Sequence, residues 1–190
     1  MDQMKEYEIL FSKIEKLLAE KDRVVVALDG GAASGKTTLA DLLAKCYGGE
    51  IVHMDDFFLR PEQRTPARFA EAGGNFDRER FMEEVIPFIG KKKAFSYRVF
   101  DCSKMELFGT AEISDSRLVI VEGSYSHHPA FAEIFDLRVF LRADEDERKQ
   151  RIVKRNGARS EMFFTRWIPL ENRYFEAFGI EEKADLVIGG

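Results

Sequence analysis

The chain is poor in cysteine: Cys46 and Cys102 are its only two, they form no CxxC pair, and with three histidines they make no zinc pattern. That argues against a disulfide framework and fits a reducing cytosol. Long hydrophobic runs are missing too. The longest aliphatic run, Val24–Leu28, falls far short of the ~20 residues of a membrane span. No uncharged apolar stretch opens the chain, because Asp2, Lys5, Glu6, Glu8, Lys13, Glu15 and Lys16 crowd its start. A signal peptide is therefore not expected, and a cytoplasmic location is. Positive charge is in deficit, with 29 Lys and Arg against 34 Asp and Glu for a net charge of −5. An acidic chain repels a phosphate backbone, so neither nucleic acid nor membrane is an expected partner, although a local basic patch can hold a small anion. Internal repeats, low-complexity tracts and linkers are absent. The sequence is compatible with a homo-oligomer and otherwise silent on assembly.

What is present is core material. In 190 residues, 45% are hydrophobic, and there are 17 Phe, 5 Tyr and one Trp. This suits one folded domain over residues 1–190. Leu10, Ile14, Leu17 and Leu18 predict an amphipathic helix over residues 2–20, within an N-terminal segment 1–22. Apolar strands are expected at Arg23–Leu28, Ile51–Met54, Arg117–Val121, Leu137–Leu141 and Asp185–Ile188. Helices are expected at Lys36–Tyr47 with Leu39, Leu42 and Leu43 inward, at Arg80–Ile89 with Phe81, Val85 and Phe88 inward, and at Asp144–Asn156. A further helical stretch, Glu161–Phe178, contains Pro169, which should kink or restart it. Residues 61–74 read as a loop with some helix, and Ala94–Phe100 with Leu107–Ile113 as a small β-excursion. The alternation implies an α/β fold, a parallel five-stranded sheet flanked by helices with a small helical lid over residues 144–160.

Gly30, Gly31, Ala32, Ala33, Ser34, Gly35, Lys36 and Thr37 fit the phosphate-loop pattern GxxxxGK[ST] without a mismatch, and Thr38 follows. The match lies between an expected strand and an expected helix, where its mechanism needs it. Successive backbone amides and the helix N-terminus cradle phosphate oxygens, Lys36 reaches the β- and γ-phosphates, and Thr37 offers a hydroxyl to Mg²⁺. ATP and Mg²⁺ are the expected cofactors. GTPase strings (DxxG, NKxD) and a transporter-type LSGGQ are absent. Glu122 ends an expected strand beside the loop, a natural place for a metal or water ligand. Arg148, Arg151 and Arg155 are spaced to share one helix face, which can equally be a solvated, salt-bridged face. His127 and His128 precede Pro129 and read as a surface loop.

The segments GGAASGKTT (30–38), HMDDFF (53–58), GNFD (74–77), VEGSY (121–125), DERKQRIVKRN (146–156) and ADLVI (184–188) occur in an order that resembles the uridine kinase family, within the uridine kinase, phosphoribulokinase and pantothenate kinase group. The resemblance implies that Asp55 is the catalytic carboxylate, helping Thr37 and Glu122 hold the metal. It implies that Asp77 bonds substrate hydroxyls, Phe76 backs the pocket and Tyr97 packs on a nucleobase. It also makes Arg148, Arg151 and Arg155 part of a lid over the transferring phosphoryl group, with Arg159 extending the set.

The sequence departs from that pattern after Tyr97, with Arg98 and Cys102 where the family tends to have Asp and His. Arg98 is therefore a candidate for pairing with an anionic acceptor, or for pairing with Asp101 or another local acid; Arg60, Arg64 and Arg68 add positive potential nearby. The expected activity is ATP-dependent phosphoryl transfer to a hydroxyl of a small metabolite, uridine or cytidine first. The alternatives are another acceptor (pantothenate, a sugar phosphate, a nucleotide) or a regulatory protein that only senses ATP.

Overall fold

Continuous apolar runs in the central strands decide the layering, because both faces of the sheet must be covered. The structure, a computed structural model, describes residues 3–189; Met1 and Asp2 of the expected N-terminal segment, and Gly190, lie outside the described residues. In chain order the main elements are α1 (Gln3–Glu20), β1 (Val24–Gly30), α2 (Lys36–Tyr47), β2 (Glu50–His53), α3 (Pro66–Ala70), α4 (Arg78–Glu84), α5 (Ile86–Ile89), β3 (Phe95–Asp101) and β4 (Glu106–Ile113). They continue with β5 (Leu118–Glu122), β6 (Leu137–Leu141), α6 (Glu145–Asn156), α7 (Ile168–Phe178) and β7 (Leu186–Ile188). Five strands form a parallel sheet in the order β2-β5-β1-β6-β7. The chain runs outward from β1 to β2 on one side and later crosses to β6 on the other. The carboxyl end of β1 is thus the switch point where open α/β sheets bind ligands.

Every residue of β1 is buried, as a central strand covered on both faces requires. Val24, Val26 and Leu28 join Leu10 and Ile14 of α1 and Leu39 and Leu43 of α2 on one face. Val25 and Ala27 face an aromatic cluster that includes Phe57, Phe76, Phe81, Tyr125 and Tyr174. Leu10 and Ile14 are fully buried, worth about 2 kcal/mol each. That burial, rather than helix propensity, fixes α1 against the sheet.

Boundaries differ from the sequence expectation where local chemistry intervenes. The expected helix over residues 80–89 is two short helices meeting at Val85, because Pro87 has no N–H for the carbonyl of Glu83. Phe88 is consequently turned outward at 42% exposure, and Leu42 of α2, also expected inward, is 44% exposed at the rim of a cleft. Pro169 restarts the helix, as expected: a π-turn over Phe163–Trp167 ends where α7 begins, with the proline in its first turn. The β-excursion is an antiparallel pair, β3 with β4, bulged between Arg98 and Phe100.

The expected surface loop at His127 and His128 is buried instead. Asp29 Oδ2 accepts from the His127 amide at 2.9 Å and from the Tyr174 hydroxyl at 2.8 Å, pulling the loop against the core. His128 lies parallel to Tyr174, and its Nε2 has no hydrogen-bond partner. Burial, then Arg78 and Arg68, pushes its pKa down to about 4. The unfolded chain takes up this proton near pH 6.5 while the folded one resists it to about pH 4, so stability falls as pH drops through that window. His128→Phe keeps the ring packing and removes both the orphaned nitrogen and the proton. We expect its melting temperature to fall less than that of the native chain between pH 6.5 and 4. An unchanged acid slope in thermal melts contradicts the assignment.

Candidate active site

The loop after β1 is shaped by backbone geometry. Gly30 has φ 144°, Ala33 φ 61° and Gly35 φ 102°. These left-handed turns aim successive amides into one concavity, an anion-binding nest at the start of α2. A Cβ on Gly30 would run into the Leu141 carbonyl, so only glycine fits there. Lys36 Nζ donates to the Gly30 and Gly31 carbonyls at 2.8 and 3.0 Å, which stations its charge at the loop's rim. Ser34 Oγ is buried without a hydrogen-bond partner, a free donor in the same loop.

Beside the nest, β5 and β2 end in polar groups. Thr37 Oγ1 donates to Glu122 Oε2 at 3.1 Å, and His53 Nδ1 lies 2.7 Å from Glu122 Oε1. The Glu122 hydrogen bond pushes His53 up from its ordinary value, against the effect of burial. Asp55 lies in a short 3₁₀ turn after β2, at Met54–Phe57, and lines the cleft. Its surface opens on that cleft while protein surrounds it on the walls. Burial first, then Glu122, raises its pKa, with Lys36 opposing. A carboxylate so placed can take a proton from an acceptor hydroxyl, and Thr37 with Glu122 can hold a cation that also binds phosphates. Among the described residues no group of three or more His, Cys, Asp and Glu side chains is arranged to hold a metal ion. Thr37 and Glu122 would hold Mg²⁺ together with phosphate oxygens of a nucleotide. The free Ser34 donor, the glycine-shaped nest and the oxygen donors all fit MgATP.

These groups share one cleft of about 1220 Å³, lined by residues 32–38 of the loop, by Asp55, Phe76 and Glu122, and by Arg151 and Arg155 of α6. Asp144 caps α6 by accepting from the amides of Asp146 and Glu147. Arg151 Nη1 donates to the Ala33 carbonyl at 3.2 Å and its Nη2 to Glu147 at 2.8 Å. Arg155 sits over the Phe163 ring at 5.7 Å.

No family model matches the chain. It is 28% identical over 177 residues to a "putative uridine kinase" of Schizosaccharomyces pombe, covering 79% of this chain and 73% of that one. It is 22% identical over 186 residues to a uridine kinase of Chlamydia pneumoniae, covering 88% and 82%. A solved structure of a possible uridine kinase from Bacillus stearothermophilus matches its fold with a TM-score of 0.69 at 21% identity, over 95% of this chain and 99% of that one. The chain is similar to proteins named as uridine kinases. Its fold is that of the phosphate-loop kinases.

Four residues expected at the substrate lie elsewhere. Tyr97 is buried with its ring 5.1 Å from that of Phe57, and its hydroxyl donates to Asp56 at 3.0 Å. Asp77 is fully buried, caps α4 through the Arg80 amide and accepts from Arg60 Nε at 3.2 Å. Arg98 pairs with Glu84 through Nε at 2.7 Å, outside the cleft; the local acid is Glu84 rather than Asp101. Arg148 sits behind the loop, donating to the Ala32 carbonyl at 2.8 Å. Phe76, by contrast, does line the cleft, stacked on Tyr125.

Sequence reasoning missed Asp29, His53, Ser124 and Glu171. Glu171 of α7 accepts from the Ala32 amide at 2.9 Å and from Ser124 Oγ at 2.7 Å. Burial pushes its carboxyl up, opposed by Lys36 and these donors. Glu171 thus ties the loop to α7 from across the chain, a contact for which local spacing carries no signal. Asp29 was legible in principle, as an acid inside a buried strand immediately before the glycines.

Proposed function

We propose that the chain is an ATP- and Mg²⁺-dependent kinase that transfers the γ-phosphoryl group to a hydroxyl of a small metabolite. The observation that carries this reading is the convergence of Lys36, the Thr37–Glu122 pair and Asp55 on one cleft at the switch point of the sheet. In it the nest amides and Lys36 bind the phosphates. Thr37 and Glu122 hold the metal, which neutralises phosphate charge when bound. Asp55 orients the acceptor hydroxyl and takes its proton. Arg151 and Arg155 meet the charge that develops on the transferred group. A protein that only sensed ATP would have no use for a carboxylate at Asp55 or for guanidiniums facing the same cleft. Uridine and cytidine are the first acceptors to try, on the strength of the relatives' names.

The test is ADP release by the purified protein with MgATP, with and without candidate acceptors. Acceptor-dependent release supports the reading; nucleotide binding without transfer to any acceptor supports a sensor. The single domain over residues 1–190 and its lid over residues 144–160 belong to the same proposal. If Arg151 and Arg155 act on the transferring phosphoryl group, Ala at either lowers kcat by about 10-fold or more while ATP affinity changes little. Loss of thermal stability with unchanged turnover would mark them as salt-bridged surface residues instead.

A further inference from the structure

The excursion between β2 and β5 carries six arginines within residues 60–98: Arg60, Arg64, Arg68, Arg78, Arg80 and Arg98. Five have acid partners. Arg60 and Arg80 reach Asp77, Arg68 reaches Glu79, Arg78 reaches Glu71 and Arg98 reaches Glu84. Arg64 differs: among the described residues no carboxylate lies within 4 Å of it. Its Nε donates to the Leu59 carbonyl at 2.8 Å and its guanidinium packs over the Phe100 ring at 5.8 Å, leaving the terminal nitrogens for another partner. It is also the one arginine of the six that lines the cleft.

Its neighbours place it at the acceptor end. Cys102 and Met105 of the β3–β4 turn line the cleft with it, as do Asn75 and Phe58. Burial pushes the Cys102 thiol up, and the charges of Arg64, which lowers it, and Asp55, which raises it, both reach it. Arg64, Cys102 and Asp55 line the same cleft. An acceptor whose hydroxyl faces Asp55 presents its far side to Arg64. A guanidinium that is half-buried, has no protein anion and opens on a ligand cleft fits a planar or tetrahedral anion bidentately. A neutral nucleoside leaves that charge unanswered, and Tyr97, the expected stacking platform, is in the core.

We propose that the acceptor is an anionic metabolite, carrying a carboxylate or phosphate that Arg64 binds while its hydroxyl lies at Asp55. This inference rests on the kinase reading above and narrows its substrate class. The phosphoryl group passes from ATP to the acceptor oxygen, the bond to the β-phosphate oxygen breaks, ADP leaves, and the hydroxyl proton goes to Asp55.

The experiment uses the full chain with MgATP and matched pairs: ribose 5-phosphate against ribose, pantothenate against pantothenyl alcohol, with uridine alongside. The phosphate and carboxylate arms separate the two anions. We expect kcat/KM for an anionic member to exceed its neutral match by ~30-fold or more, and Arg64→Ala to remove that preference chiefly through KM. Arg64→Lys should recover part of it, because charge remains while the fork is lost. A merely structural role for Arg64 would lower stability and all acceptors together without changing the ratio; Arg98→Ala, altered outside the cleft, should leave the ratio intact. Uridine preferred by ~10²-fold, an anionic preference unmoved in Arg64→Ala, or no preference for either anion in turnover or in binding to the nucleotide-loaded protein each overturns the proposal and leaves the kinase reading standing. Failure to bind MgATP at all overturns the kinase reading itself.

Discussion

Lys36→Ala is expected to lower phosphoryl transfer by at least ~10²-fold while weakening nucleotide binding much less. The reason lies in the division of labour within the loop. The nest amides come from the backbone, whose left-handed turns at Ala33 and Gly35 do not depend on the Lys36 side chain. They continue to bind phosphate. What is lost is the Lys36 charge at the loop's rim, which on the proposed reading meets charge that grows as the γ-phosphoryl group departs. A donor aimed at developing charge is worth about 10²–10³ in kcat when removed. Lys36 also donates to the Gly30 and Gly31 carbonyls, so part of any loss could come from a loosened loop. Melting temperature and nucleotide affinity separate the two, because loosening lowers both while loss of charge stabilisation lowers kcat. Near-normal turnover in Lys36→Ala would contradict the phosphate-loop assignment.

Asp55→Asn is expected to reduce kcat by ~10²-fold or more with the fold intact. Asn keeps the size of the side chain and one hydrogen-bond acceptor but takes no proton. Among the described residues no hydrogen bond or ion pair engages Asp55, so structural damage should be small. The neighbouring carboxylate, Asp56, accepts from the Tyr97 hydroxyl and lies outside the cleft lining, which makes it a brace for the core. Asp56→Asn should accordingly leave kcat within a few-fold of native. If Asp55→Asn is fully active and Asp56→Asn is not, the roles are reversed.

How much of this was legible in the sequence follows from the range of the forces involved. The strand at Leu137–Leu141 and the helix at Lys36–Tyr47 are read residue for residue, since their apolar spacing, and for the helix the flanking Gly35 and Gly48, are local. The loop from Gly30 to Thr37 was legible because its chemistry is compressed into eight consecutive residues. Tyr97 was not: a strand aromatic has two faces to choose from, and the Asp56 carboxylate and Phe57 ring that draw it inward come from forty residues away. Asp77 illustrates the same limit. An acid before a helix reads equally as ligand or cap, and only the placement of Arg60 and the Arg80 amide makes it the cap. Arg64 and Arg98 looked alike in the sequence; the pairing of Glu84 with one and the want of an acid beside the other came only with the fold.

The central claim, phosphoryl transfer to a hydroxyl in this cleft, is tested most directly by mass spectrometry of the acceptor after incubation with the native chain and MgATP, beside Asp55→Asn. The account predicts an acceptor heavier by one phosphoryl group, formed in step with ADP and suppressed by ~10²-fold in the variant. ADP formed at the same rate without any acceptor, or a phosphorylated product undiminished by Asp55→Asn, would contradict it.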